Sequence, residues 1–279
     1  MCRALFVAGW LCLSLMGALA VAQTSPNGGA AEPRDKILGT WKLVSGSDDS
    51  EITKIESESN GDVKISFGCK QDGSCPRNIT VNYDGKLYKY SNYSDAAKYE
   101  ASFRKTGDRT IQQDWYLNGK QGSSYTWQLS PDGNTLRITS QAVSPPGSKK
   151  ITSVHDRSGG PTSNDNSFVG FWKRDRNRDD AVFITYATKG AVFTFTDAWG
   201  VAHDRNCDGK DHLDNASPTG SLYNCRFPDD HTYELTSKAN GKVLSTTTRK
   251  ISEDGKTMFR ASKDAEGKTS SEEKYEKIK

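Results

Sequence analysis

Between positions 109 and 129, polar and apolar side chains alternate with a period of two. Ile111, Gln113, Trp115 and Leu117 fall on one face, with Gln112, Asp114 and Tyr116 on the other. After Leu117-Asn118-Gly119-Lys120, the residues Tyr125, Trp127 and Leu129 again share a side, opposite Thr126 and Gln128. This is the pattern of strands with one buried face, and Asn-Gly between two such runs is the pair that a tight hairpin needs. The reading extends along the first half of the chain, with strands near 38–44, 51–57, 62–67, 77–83, 86–90, 97–103, 109–117, 122–129, 134–140 and 149–156. No stretch carries a sustained helical period.

The pattern then starts again. Leu38-Gly39-Thr40-Trp41-Lys42-Leu43 returns as Val169-Gly170-Phe171-Trp172-Lys173, and Asn82-Tyr83-Asp84-Gly85-Lys86 as Asn206-Cys207-Asp208-Gly209-Lys210. Three further matches keep a single offset: Asp108-Arg109-Thr110 with Asp230-His231-Thr232, Asn118-Gly119-Lys120 with Asn240-Gly241-Lys242, and Ser130-Pro131-Asp132-Gly133 with Ser252-Glu253-Asp254-Gly255. A repeat of this length made of short strands predicts an all-β protein of two tandem antiparallel up-and-down β-barrels, each of about ten strands. The expected boundaries are a leader at 23–36, a first barrel at 37–157, a linker at 158–167 and a second barrel at 168–279. The linker is assigned because Ser158-Gly159-Gly160-Pro161-Thr162-Ser163 has nothing to bury.

Residues 1–22 carry one basic residue, Arg3, then an apolar run and the ending Ala20-Val21-Ala22. That is the form of a secretory signal peptide, so the expected location is exported, either secreted or periplasmic, with no stable membrane insertion after cleavage. Four cysteines follow the signal, and in an oxidising compartment an even number reads as disulfides. Cys69 with Cys75 and Cys207 with Cys225 are expected because each pair then lies within one repeat. A four-cysteine zinc site is the alternative, weakened by the lack of a Cys-x-x-Cys spacing. The repeat places Cys207 at Tyr83 and Cys225 near Phe103, so Tyr83 and Phe103 should sit on neighbouring strands.

A formal charge of +3 is too near balance to imply a nucleic-acid partner. With 34% hydrophobic residues and a mean hydropathy of -0.75 the cores must be thin, and the 10% aromatic content has to supply much of them.

Gly39-Thr40-Trp41-Lys42-Leu43-Val44 resembles the first strand of intracellular fatty-acid-binding proteins, and its Gly-x-Trp core is similar to that of lipocalins, two families of the calycin superfamily. Val154-His155-Asp156-Arg157 and Lys274-Tyr275-Glu276-Lys277 resemble the closing strand of the same barrels. The resemblance implies that a basic residue covers the tryptophan at the barrel base: Arg157 over Trp41 and Lys277 over Trp172. Three features depart from the family. Its ligand-carboxylate pair, Arg-x-Tyr, is replaced by Ser153 and His155 and by Glu273 and Tyr275; the segments after the first strands are too short for a helical lid; and the strands are unusually polar.

No constellation of catalytic residues stands out, and no cofactor is implied. His155, His203, His212 and His231 show no ligand spacing, and the densest cluster, Asp208, Asp211, His212 and Asp214, contains an Asp-Gly-Lys that recurs as a hairpin turn at Asp84-Gly85-Lys86. No metal site is assigned. The run Arg174-Asp175-Arg176-Asn177-Arg178-Asp179-Asp180 reads as a solvated loop. Asn78, Asn92 and Asn215 open glycosylation sequons. The expected function is non-enzymatic binding of a small apolar or amphiphilic ligand, lined by Trp115, Tyr125 and Trp127. Against it stands a pair of filled barrels that acts as a protein-interaction or envelope-structural module, in which these rings merely fill the interior.

Overall fold

The computed structural model describes residues 35–47, 52–70, 72–91, 97–160, 168–190, 192–215 and 220–278. The expected signal peptide, most of the leader, and 161–167 of the expected linker lie outside them. Twenty strands follow in order: β1 (Gly39–Gly46), β2 (Ile52–Ser57), β3 (Val63–Cys69), β4 (Arg77–Val81), β5 (Asp84–Lys89), β6 (Tyr99–Gly107), β7 (Thr110–Leu117), β8 (Lys120–Leu129), β9 (Thr135–Ala142), β10 (Lys150–Gly159), β11 (Gly170–Arg174), β12 (Phe183–Lys189), β13 (Val192–Thr196), β14 (Ala202–Arg205), β15 (Asp211–Leu213), β16 (Leu222–Asp229), β17 (Thr232–Ala239), β18 (Lys242–Ile251), β19 (Thr257–Asp264) and β20 (Thr269–Lys277). The described residues hold 3-10 turns at Asp35–Ile37 and Arg176–Arg178 and no α-helix. The equivalent hairpins turn at Asn118-Gly119 and Asn240-Gly241, where positive φ at all four residues matches the right-handed twist of the strands.

The strands form two ten-stranded antiparallel sheets, each wrapped as a barrel, but the first strands are exchanged. Barrel I runs β4-β3-β2-β11-β10-β9-β8-β7-β6-β5, and barrel II runs β14-β13-β12-β1-β20-β19-β18-β17-β16-β15. The Gly-x-Trp strand of the second repeat, β11, therefore pairs with β2 and β10 of the first. Its counterpart β1 pairs with β12 and β20. This corrects the expected division at 158–167: β10 and β11, which flank that stretch, are hydrogen-bonded neighbours in one barrel. The chain crosses between barrels elsewhere, after β1 and again between β11 and β12.

The expected tryptophan partners are corrected with it. The Arg157 guanidinium lies 4.3 Å from the Trp172 ring centre, and Lys277 Nζ lies 5.1 Å from that of Trp41. Each indole Nε1–H donates to a carbonyl four residues earlier, Ile37 for Trp41 at 2.8 Å and Phe168 for Trp172 at 2.9 Å. Both tryptophans are fully buried. Arg157 also explains the glycine of the motif. Its Nε and Nη1 donate to Gly133 O and Val169 O, at 2.9 and 2.6 Å. That pins the guanidinium against Gly170, where a Cβ would collide with Nη1.

The second crossover is held, not merely solvated. Because β11 is short, Thr152 and Val154 of β10 extend past it, and their N–H groups donate to the carboxylates of Asp180 at 2.8 Å and Asp179 at 2.7 Å. Arg174 anchors Asp179 in turn, at 2.6 Å. The charged run Arg174 to Asp180 thus finishes the ladder that β11 leaves incomplete.

Each barrel closes at a seam. In barrel I the edges meet through a bridge between Asn78 and Ser91, with Ser91 N–H donating to Asn78 O at 2.8 Å. In barrel II the Cys207–Cys225 disulfide ties the chain after β14 to β16, with 4.5 Å between Cα atoms. The Cys69–Cys75 disulfide forms as expected too. The interiors differ. Barrel I is packed with Phe103, Ile111, Trp127 and Leu136, and Tyr83 packs against the same cluster as Phe103. Barrel II combines Tyr186, Phe193, Tyr233 and Met258 with two buried arginines, Arg205 and Arg249.

Candidate ligand site between the barrels

The equivalent hairpins β7–β8 and β17–β18 meet tip to tip. Ala97 and Leu117 from barrel I pack on Ala239 from barrel II, with Tyr99, Trp115 and Leu244 around them. The contact is reinforced by Lys149 N–H donating to Trp199 O at 2.8 Å and Trp199 Nε1–H donating to Ser140 Oγ at 3.2 Å. Beside this contact lies a partly open cavity of about 860 Å³ lined from both barrels.

Barrel I supplies the aromatic wall. Trp115 is on the inward face of β7, and its ring lies 6.2 Å from that of Tyr99. Gly122 on β8 makes room for it, since a Cβ there would lie 2.7 Å from the indole. Of the three expected lining residues, only Trp115 borders the cavity. Trp127 is buried deeper, where its Nε1–H donates to Gln113 Oε1 at 2.9 Å and its ring meets Phe67 and Phe103 edge-on. Tyr125 packs against the same core and accepts a hydrogen bond from Ser123 Oγ at 3.1 Å. These two rings fill the barrel.

Barrel II supplies an ionisable wall. His203 on β14 sits between two carboxylates, with Nε2 3.2 Å from Asp197 Oδ2 and Nδ1 3.6 Å from Asp214 Oδ1, and its ring stacks on Phe195 at 5.7 Å. Asp214 accepts two bonds from Arg205, from Nη1 at 2.9 Å and Nη2 at 2.8 Å, and the guanidinium lies 4.2 Å from the ring centre of Tyr223. This pair joins β14 to the end of β15, so it closes the seam as well as lining the mouth. Burial opposes the charge on His203, but its hydrogen bond to Asp197 and the nearby Asp214 carboxylate outweigh it and raise the imidazole above its ordinary value. For Asp214 burial again opposes ionisation, and the nearby His203 and the two bonds from Arg205 hold it far below the usual carboxylate range.

Sequence reasoning considered His203 only by spacing along the chain. Its partner Asp197 lies across the β13–β14 hairpin, and Asp214 arrives from the far edge of the sheet, so no local motif records the triad. The run from Asp208 to Asp214 disperses instead. Asp208 meets His212 at 2.8 Å, Asp211 meets Lys238 at 2.8 Å, and only Asp214 turns inward to Arg205. The remaining core histidine, His155, bonds Ser153 Oγ at 3.0 Å, and burial with the nearby Arg174 charge pushes it down to about 4.

Together the fold and the cavity define a strand-exchanged pair of up-and-down barrels with a joint chamber. No family model, curated protein or solved structure matches the chain.

Proposed function

We propose that the protein is a non-enzymatic, exported binding protein whose small apolar or amphiphilic ligand occupies the cavity between the barrels. The observation that carries this reading is the joint chamber itself, about 860 Å³ in volume with Trp115, Tyr99 and Leu117 on one wall and His203, Asp197 and Asp214 on the other. Apolar area with a few convergent polar groups is the usual make-up of a small-molecule site. The chamber is lined by residues of both barrels. Export is supported by the signal-like 1–22 segment and the two disulfides. The calycin-like opening and closing strands support the same reading.

The packed interiors favour a second reading, a purely structural or protein-binding module. Tryptophan fluorescence separates the two, because Trp115 and Trp199 both border the chamber. Titration with a panel of lipids, retinoid-like molecules and aromatic compounds is expected to shift or quench the emission for at least one class. Trp115→Ala should weaken that binding by about tenfold, roughly 1.4 kcal/mol. Unchanged spectra across the panel would leave the structural module as the better account.

A further inference from the structure

Three consecutive strands of barrel II carry one polar row into the chamber. Ser237 on β17 is the register partner of Ser245 on β18, and Ser245 is in turn the partner of Asp264 on β19. All three border the chamber. Their inward position follows from period two, since Thr247 and Arg249, on the same face of β18 as Ser245, are buried in barrel II. Neighbouring strands lie about 4.8 Å apart, so the row sets out side-chain oxygens at a separation comparable to that between alternate hydroxyls of a six-membered sugar ring.

The fold does not use these groups up. One step deeper, the hydroxyls of Thr247 and Ser262 lie 3.0 Å apart and satisfy each other. On the outer face of β17 and β18, the hydroxyls of Thr236 and Thr246 do so at 3.4 Å. The half-buried hydroxyls of Ser237 and Ser245, in contrast, have no hydrogen-bond partner among the described residues. Asp264 accepts from Lys268 N–H through Oδ1 at 2.8 Å, and its Oδ2 has no such partner either.

Charge narrows the class of ligand. The carboxylates that line the chamber, Asp197, Asp214 and Asp264, are matched by Lys70, Arg77 and Lys268. His203 and Arg205 further hold Asp197 and Asp214. An ionic head therefore meets no large excess of the opposite charge, whereas hydroxyls meet acceptors and donors that are still unused.

We infer that the ligand is an uncharged glycoside, whose sugar head is bound by Ser237, Ser245 and Asp264 and whose apolar part lies along Trp115, Tyr99 and Leu244. The inference rests on the ligand reading of the chamber and names the class of that ligand. A site built to bond hydroxyls discriminates strongly against analogues that lack them, because its own polar groups are then left unpaired.

The test uses the full chain at pH 7 and probes that share one tail and differ in the head: octyl β-glucoside below its micelle concentration, 1-octanol, octanoate, octyltrimethylammonium and octylphosphocholine. Binding is read by tryptophan fluorescence and calorimetric titration. In wild type the glucoside is expected to bind at least about tenfold more tightly than any of the others, the effect of two or more hydrogen bonds to its head. Ser237→Ala with Ser245→Ala should bring the glucoside down to the affinity of 1-octanol. Thr236→Ala with Thr246→Ala, the neighbouring pair on the outer face, should keep the wild-type order. Equal binding of all heads, tighter binding of an ionic head, or a glucoside preference that survives Ser237→Ala with Ser245→Ala overturns the glycoside while the chamber stands. Silence of every octyl probe overturns the glycoside too, and the panel of other compounds then decides whether the chamber binds anything. The order of heads in wild type is a test that needs no variant to fold.

Discussion

Replacing Trp172 with alanine destabilises barrel I, the one built mainly from the first repeat, by about 3–5 kcal/mol, although Trp172 opens the second repeat in sequence. The indole is fully buried in the barrel I core, bonds Phe168 O and lies under Arg157. Its removal therefore costs the packing, and the cation over its face adds about 0.5–2 kcal/mol where it is desolvated. Trp41→Ala acts reciprocally on barrel II, whose core cluster includes Trp41. Hydrogen exchange resolves the two barrels. In Trp172→Ala, amides of β6–β9 should lose protection first, and in Trp41→Ala those of β16–β19.

The second large effect is expected at the barrel II seam. Asp214→Asn leaves the Arg205 guanidinium buried without its carboxylate, and breaking a buried pair from one side costs about 3–5 kcal/mol. Arg205 is 5% exposed at its side chain and Asp214 14%, so solvent relieves little of this. The pair also sets a pH window. The folded-state value of Asp214 is depressed, so its contribution is complete above the ordinary 3.8 and is lost as the pH falls towards the depressed value. His203 is raised, so its contribution is complete below 6.5 and is lost as the pH rises through the folded value. Denaturation of wild type should show barrel II most stable between these limits. In Asp214→Asn the acid limb should flatten, and the His203 imidazole, followed by NMR, should titrate lower than in wild type.

Strand positions were readable from the chain because period-two alternation and Asn-Gly turns are local. The disulfides were readable because each pair spans a short stretch. The exchange was not readable, for a physical reason: Gly39-Thr40-Trp41-Lys42 and Gly170-Phe171-Trp172-Lys173 present the same glycine, indole and edge hydrogen bonds to either barrel. Arg157 and Lys277 are likewise equivalent caps, so composition and periodicity are the same for both connectivities. In the exchanged connectivity the second crossover places Asp179 and Asp180 where they complete the β10 ladder. The chamber escaped for a related reason. Trp115 was found from its own strand, but its polar counterparts His203 and Asp214 belong to the other barrel, and a sequence face says nothing about which mouth it will meet. Trp127 shares the periodicity of a lining residue yet lies deeper in the barrel, and alternation fixes the side of a strand but not the depth.

The exchange is tested most directly by paired cysteines on the closing strands. Lys42 lies opposite Glu276, and Lys173 opposite Asp156. Under mild oxidation, Lys42→Cys with Glu276→Cys should cross-link, as should Lys173→Cys with Asp156→Cys. The opposite combinations, position 42 with 156 and position 173 with 276, should stay open. Cross-linking of those opposite combinations, with the first two silent, would show that each repeat closes its own barrel and would contradict the exchanged fold.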